Sequence, residues 1–316
     1  MTRALLGPEF PLPLDHPFTY RQARDVGISR RALRLLVENG KLRQPLYGVY
    51  AAAQAPDTQL LRAQAIQLVA PDGHIVTDES AGWLAGAQMI LSPGAHLEAP
   101  PLTVFATGDH HRLRNGLVDS GTRALLPRDI TTVHGVLTTT PLRTALDLGR
   151  LRHRDRAIAA LDQLLRLGVF SPEELAAELP RFKGMRGVRQ LRFLAPRADG
   201  RSESPPESAL RLRVEDAGLG RAEPQQDIFD AHGRFLGRVD LLLQELGLVA
   251  EYFGEEFHGE TEEDDDNARL EAIADEGYTI RVFRKHNLYG PHQDAVEMLL
   301  DGATEARRRL SHHRWV

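Results

Sequence analysis

The stretch Phe18–Tyr50, FTYRQARDVGISRRALRLLVENGKLRQPLYGVY, decides how the first part of the chain is read. Phe18, Tyr20, Ala23 and Val26 recur at helical spacing, and Gly27 suits a sharp turn or helix C-cap. Ser29 suits an N-cap, because its hydroxyl can accept a free amide of the first helical turn. Ala32, Leu33, Leu35, Leu36 and Val37 give the next helix an apolar stripe. Asn39-Gly40 ends that helix, and Lys41 to Tyr50 reads as a short two-stranded wing. This is the order of a winged helix-turn-helix, whose second helix enters the major groove with its N-terminal residues at the bases. Arg30, Arg31 and Arg34 fall on those first turns, and Lys41 and Arg43 follow in the wing. Residues 1–50 hold eight basic and four acidic side chains. A small helical bundle with solvated arginines fits the same pattern; the placement of the arginines favours double-stranded DNA as partner.

The remaining length sets the scale. With 316 residues, 42% hydrophobic and 26% charged, the chain has an ordinary globular composition and room for two or three domains. It has no cysteine, which excludes disulfides, thiolate metal sites and Cys nucleophiles. No basic-then-apolar leader opens it, and its least charged stretch, Ser80 to Leu97, is too polar for a membrane span. A cytoplasmic location without membrane contact is therefore expected. The net charge of −5 divides unevenly, +6 over residues 1–200 and −11 over 201–316, which points to different partners for different parts.

Residues 51–200 show helices over Gln59–Val69, Ser80–Ala87, Asp155–Leu167, Ser171–Leu179 and Arg186–Leu194, and another starting near Pro141. Short strands fall at Ile75–Thr77, Leu102–Ala106 and Gly135–Leu137. No catalytic constellation stands out, and His110, His111, Arg112 and Arg114 read as a solvated loop. Residues 196–206, PRADGRSESPP, have the composition of a linker.

Beyond it the order is helix, three strands, helix, strand, helix, an α/β core. Three carboxylates stand where chemistry could use them: Glu207 on the first helix, Asp240 on the second strand and Glu251 on the third. Val239-Asp240-Leu241 and Ala250-Glu251-Tyr252 place acids in strands that otherwise disfavour them. Such acids can hold Mg²⁺ or Mn²⁺ through hard oxygens, or simply line a solvated strand face. Taken alone, the residues leave both readings open.

Two resemblances bear on this. Residues 18–50, together with HGVLTTTPLRTALDL further on, resemble AbiEi-type antitoxins of type IV toxin–antitoxin systems. From residue 203 to about 290, the ordered string ESALRLRVEDAGL, PQQDIFDAHGRFLGRVDLLLQELGLVAEYFGEEFHG and DNARLEAIADEGYTIRVFRKHNL resembles the DUF559 group of PD-(D/E)XK endonuclease-like domains. That second resemblance implies that Glu207, Asp240, Glu251 and His258 are catalytic positions and that Asp240 and Glu251 hold the metal. It implies supporting places for Gln226, Asp266 and Arg269. One departure is evident: Phe253 stands two residues after the second acid, where such domains carry a charged side chain. Lys285 and Arg281 are the nearby cations that could reach in. The acidic run Glu255–Asp266, eight acids in twelve residues, reads as a solvated loop, extra metal ligands or a DNA mimic.

The sequence thus predicts an α/β multidomain protein. A winged helix spans 1–55, an α/β middle domain of antitoxin-like type spans 56–198, and a restriction-endonuclease-like core spans 199–316. The leading expectation is metal-dependent cleavage or nicking of DNA. The alternative is an inactive, DNA-binding transcriptional regulator of type IV antitoxin class, partnered by a cognate toxin or a second copy of itself.

Overall fold

Phe18, Ala23, Leu33 and Leu42, drawn from four successive elements, meet in one small apolar cluster that shapes the start of the chain. The computed structural model describes residues 5–70, 73–87, 102–107, 118–254 and 260–313. These form two compact units, 1–148 and 149–316. In the first, β1 (Phe18–Thr19) runs directly into α1 (Tyr20–Asp25), where Thr19 and Gln22 cap each other reciprocally. Gly27, at φ +85°, makes the turn that a side chain would resist. Helix α2 (Arg30–Glu38) then starts on the Ser29 hydroxyl, which accepts from the Ala32 amide at 3.2 Å. Strands β2 (Leu42–Leu46) and β3 (Val49–Ala52) pair antiparallel, and β3 lies between β1 and β2. Helix, turn, helix and hairpin follow one another as the sequence implies, but Phe18, expected on the first helix, lies in β1 opposite Tyr50 and makes the hairpin a three-stranded sheet.

The rest of the first unit is a five-stranded mixed sheet. Its elements are α3 (Gln59–Gln67), β4 (His74–Val76), α4 (Asp78–Leu84), β5 (Leu102–Ala106), β6 (Val118–Thr122), β7 (Ile130–Val133) and β8 (Val136–Thr139), in strand order β6-β5-β4-β8-β7. Helix α5 (Pro141–Leu151) follows β8 and contains the boundary between the units. Leu46 and Val49 of the hairpin share one apolar core with Ala63 and Ile66 of α3 and Val104 of β5. Buried charges brace this sheet. Arg123 bonds Asp78 at 2.6 Å and Asp147 at 3.2 Å, while Arg143 bonds Asp147 at 2.8 Å and Asp129 at 2.7 Å.

The second unit opens with α6 (Arg154–Arg166), α7 (Pro172–Glu178) and α8 (Val188–Leu194), then α9 (Pro205–Asp216). Strands β9 (Glu223–Phe229), β10 (Phe235–Leu243) and β11 (Leu248–Tyr252) form an antiparallel meander. After α10 (Glu260–Asp275), β12 (Thr279–Phe283) joins β11 in parallel, giving the order β12-β11-β10-β9. Short α11 (Lys285–Leu288) and long α12 (Ala295–His313) close the chain. Leu241, Leu243, Leu248 and Ala250 pack with Leu210 of α9 and Leu299 of α12, while Leu242 and Val249 pack with Ile273 of α10. The sheet is therefore covered on both faces.

Residues 196–206 are not a free connector. Asp162 of α6 accepts from the Asp199 amide at 2.8 Å and from Arg211 of α9 at 2.6 Å, and Gln163 donates to the Ser202 carbonyl. Nearby, Arg213 of α9 grips Asp155 of α6 at 2.7 and 2.9 Å. Linker-like composition here encodes a short connection anchored by α6 and α9.

Candidate functional site

Each unit presents one arrangement with chemical potential. On α2, Arg30, Arg31 and Arg34 are all exposed. Arg30 lies over the Tyr20 ring, its guanidinium carbon 4.6 Å from the ring centroid, so that side chain is oriented by its own fold. Arg31 and Arg34 make no ion pair among the described residues. Lys41 is half-buried at the start of the hairpin. Arg43 is used differently from the sequence expectation. It donates to the Ala55 carbonyl at 2.9 Å and pairs with Asp57 at 3.1 Å, which ties the hairpin to the start of α3. A guanidinium so engaged is a brace rather than an open phosphate ligand.

In the second unit, side-chain alternation carries Asp240 and Glu251 to the face that α10 covers, beside Leu242 and Val249. The two acids interlock. Glu251 Oε1 accepts from the Asp240 amide at 3.3 Å, and Asp240 Oδ2 accepts from the Tyr252 amide at 2.8 Å. Glu207 comes from the first turn of α9, placed by the Ser204 cap, and its Oε2 accepts from the Glu203 amide at 2.8 Å. Gln225 joins the set: its amide donates to Glu207 at 2.9 Å and to Asp240 at 3.3 Å.

On β9 the sequence points to Gln226, and the structure uses its neighbour. Gln226 turns away and donates to the Pro224 carbonyl at 2.9 Å. Gln225 has φ +54°, the left-handed region that non-glycine residues seldom occupy, and the pairing of Gln226 with Val239 and Pro224 with Leu241 sets it opposite Asp240. Nothing in the spelling Gln225-Gln226 distinguishes the two.

Electrostatics follow from this crowding. Withdrawal from water, and then the nearby Glu251 and Glu207, push the Asp240 carboxyl up to about 8. Burial also raises Glu251, and the Arg269 guanidinium opposes that rise. Arg269 of α10 reaches Glu251 at 3.4 Å and Asp266 at 3.4 Å. Of the cations expected near Phe253, Arg281 instead pairs with Glu305 of α12 at 2.7 Å, and Lys285 is exposed on α11. It is Arg284 that lies over the half-buried Phe253 ring, at 6.0 Å. His258, with Glu255 and Glu256, falls outside the described residues; the rest of the acidic run, expected as a loop, forms the first turns of α10. Among the described residues no group of three or more His, Asp or Glu is arranged to hold a metal ion. No helix among them is long and apolar enough to cross a membrane.

Fold and geometry define a two-unit mixed α/β protein, with an exposed cationic helix in the first unit and a buried acid cluster in the second. Residues 14–53 match the family described as a transcriptional regulator, AbiEi antitoxin, and residues 74–196 match the AbiEi antitoxin C-terminal domain. An uncharacterized protein of Mycobacterium tuberculosis strain CDC 1551 / Oshkosh is 36% identical over 256 residues, 80% of this chain and 89% of the relative. A counterpart from strain ATCC 25618 / H37Rv matches to the same extent, 36% over 256 residues. The chain belongs to the AbiEi antitoxin family. A match of 80% of the chain runs past residue 240 wherever it begins, so the likeness to these relatives extends into the acid-bearing sheet.

Proposed function

We propose that this protein is a DNA-binding transcriptional regulator of antitoxin type, reading duplex DNA with a winged helix over residues 18–52. The observation that carries this is the exposed set Arg30, Arg31 and Arg34 on the first turns of a well-capped α2, within residues matching a transcriptional-regulator family. A helix presenting its N-terminal residues in this way suits the major groove, and arginine suits both phosphate and guanine. The antitoxin kinship also supports a cognate toxin as partner. Fluorescence anisotropy against duplex DNA tests the DNA reading. In the triple variant Arg30→Ala, Arg31→Ala and Arg34→Ala, the log–log salt slope should fall by about 0.9 for every phosphate that these side chains neutralise. An unchanged slope sinks the reading.

A second reading concerns the second unit, and the interlocked Asp240–Glu251 pair favours it. The helix–three strands–helix–strand order suits a PD-(D/E)XK-like core, and two hard carboxylates are what Mg²⁺ or Mn²⁺ commonly takes from a protein. Asp240 and Glu251 would hold the cation, with Gln225 steering Asp240 and Glu207 nearby. Bound there, it would supply Lewis-acid stabilisation of phosphate charge and a more acidic water. Phe253 supplies no charged group beside the acids, so this reading expects slow nicking at most. If millimolar Mn²⁺ raises the melting temperature equally in the parent and in Asp240→Ala with Glu251→Ala, the acids hold no cation.

A further inference from the structure

Helix α10 places one cation directly on the acid pair. Arg269 Nη1 lies 3.5 Å from Glu251 Oε1, and Nη2 lies 3.4 Å from Oε2. Both distances exceed the 2.7–2.9 Å typical of a charge-assisted hydrogen bond. By contrast, Nη1 donates to the Arg238 carbonyl at 2.8 Å. The guanidinium is therefore anchored on the backbone of β10 and stands beside the carboxylate without clamping it. Gly237 makes the approach feasible, since a Cβ there would meet Arg269 Cδ at 2.8 Å and Cγ at 2.9 Å. The Glu251 side chain is only 5% exposed, and a charge so enclosed needs a partner within the fold. Among the described residues Arg269 is the cation that Glu251 has.

We propose that Arg269 is a positioning residue: the built-in counter-ion of the acid pair, which balances the charge of Glu251 in the ion-free protein and competes with a divalent cation for it. The inference rests on reading Asp240 and Glu251 as a cation site. It follows that cation affinity is set from α10. Arg281 is engaged with Glu305, and position 253 carries an uncharged ring, so Arg269 is the group whose removal changes the charge at Glu251.

The test is Mn²⁺ titration calorimetry on the full chain, comparing the parent with Arg269→Gln, Arg269→Lys, Gly237→Ala and the double variant Asp240→Asn with Glu251→Gln. Removing a positive charge a few ångströms from the ligand oxygens should tighten Mn²⁺ binding at least about tenfold in Arg269→Gln. Arg269→Lys keeps the charge and should bind as the parent does. Gly237→Ala displaces the side chain without altering charge elsewhere, and should tighten binding even if Arg269→Gln folds poorly by circular dichroism. The double acid variant should take up none. Equal affinity in the parent, Arg269→Gln and Gly237→Ala overturns the counter-ion role while leaving the cation site standing. Absence of Mn²⁺ uptake by every variant overturns both.

Discussion

Asp162 and Arg211, 49 residues apart, meet at 2.6 Å in an interior where neither side chain is more than 6% exposed. Asp162 is so enclosed that burial lifts its carboxyl to about 6 in spite of the guanidinium beside it. Arg211→Met should strand that carboxylate and lower stability by about 3–5 kcal/mol, the usual cost of breaking one side of a buried pair. Urea denaturation followed by circular dichroism reads this directly. A loss below about 1 kcal/mol would mean that the pair adds little beyond hydrophobic packing.

Asp240 gives the second unit a signed pH dependence. Its folded value of about 8 lies above the ordinary 3.8, so the folded protein keeps a proton that the unfolded chain releases. The associated stability is fully present below the unfolded value and is lost as pH rises toward 8. Asp240→Asn, which resembles the protonated acid, should flatten that fall and be more stable than the parent at high pH. Melting temperatures taken across this range decide the matter; parallel curves would exonerate Asp240.

Arg43 and the α2 arginines should separate cleanly. Arg43→Ala removes the bonds to Ala55 and Asp57, so it should lower the melting temperature yet leave the salt dependence of DNA binding unchanged. Arg31→Ala with Arg34→Ala should do the reverse. A drop in salt slope from Arg43→Ala alone would return that residue to the DNA-contacting set.

At the acid pair, Phe253→Lys restores a charged group on the strand side shared with Glu251. If the unit retains nuclease chemistry, nicking of supercoiled plasmid with Mn²⁺ should rise well above the parent, since one stabilising interaction is typically worth about 10²–10³ in rate. No cleavage by either protein would leave the regulator role as the whole function.

Local chemistry makes much of this molecule legible in its sequence. Ser29, Gly27 and the apolar stripe of α2 mark the first helices because capping and turn chemistry act over a few residues. Asp240 and Glu251 stand out as acids among strand-forming neighbours, and the structure interlocks them. What stays hidden depends on distant partners. Arg43 reads as a cation of the wing until Asp57 is folded against it. The brace of Arg123, Arg143, Asp78, Asp129 and Asp147 spans three segments, none of which announces the others. Strands β6 and β7 are too polar for alternation to reveal. Gln225 escapes sequence reading because the register of β9 on β10, Gln226 with Val239 and Pro224 with Leu241, is what sets it opposite Asp240, and that pairing is not written in either strand alone.

That same residue has a bearing on how the protein behaves in a crowded solution. Among the described residues β9 is the outermost strand of its sheet, bonded to β10, and outermost strands invite pairing with other chains. Pro224 has no amide hydrogen to offer, and the twist at Gln225 interrupts the regular row of donors and acceptors that an incoming strand would need. Asp227 adds charge to the same rim. The distortion at Gln225 thus also blunts a site of self-association, so a β-branched residue there, which resists positive φ and favours a regular strand, would cost solubility as well as the hydrogen bonds to the acids.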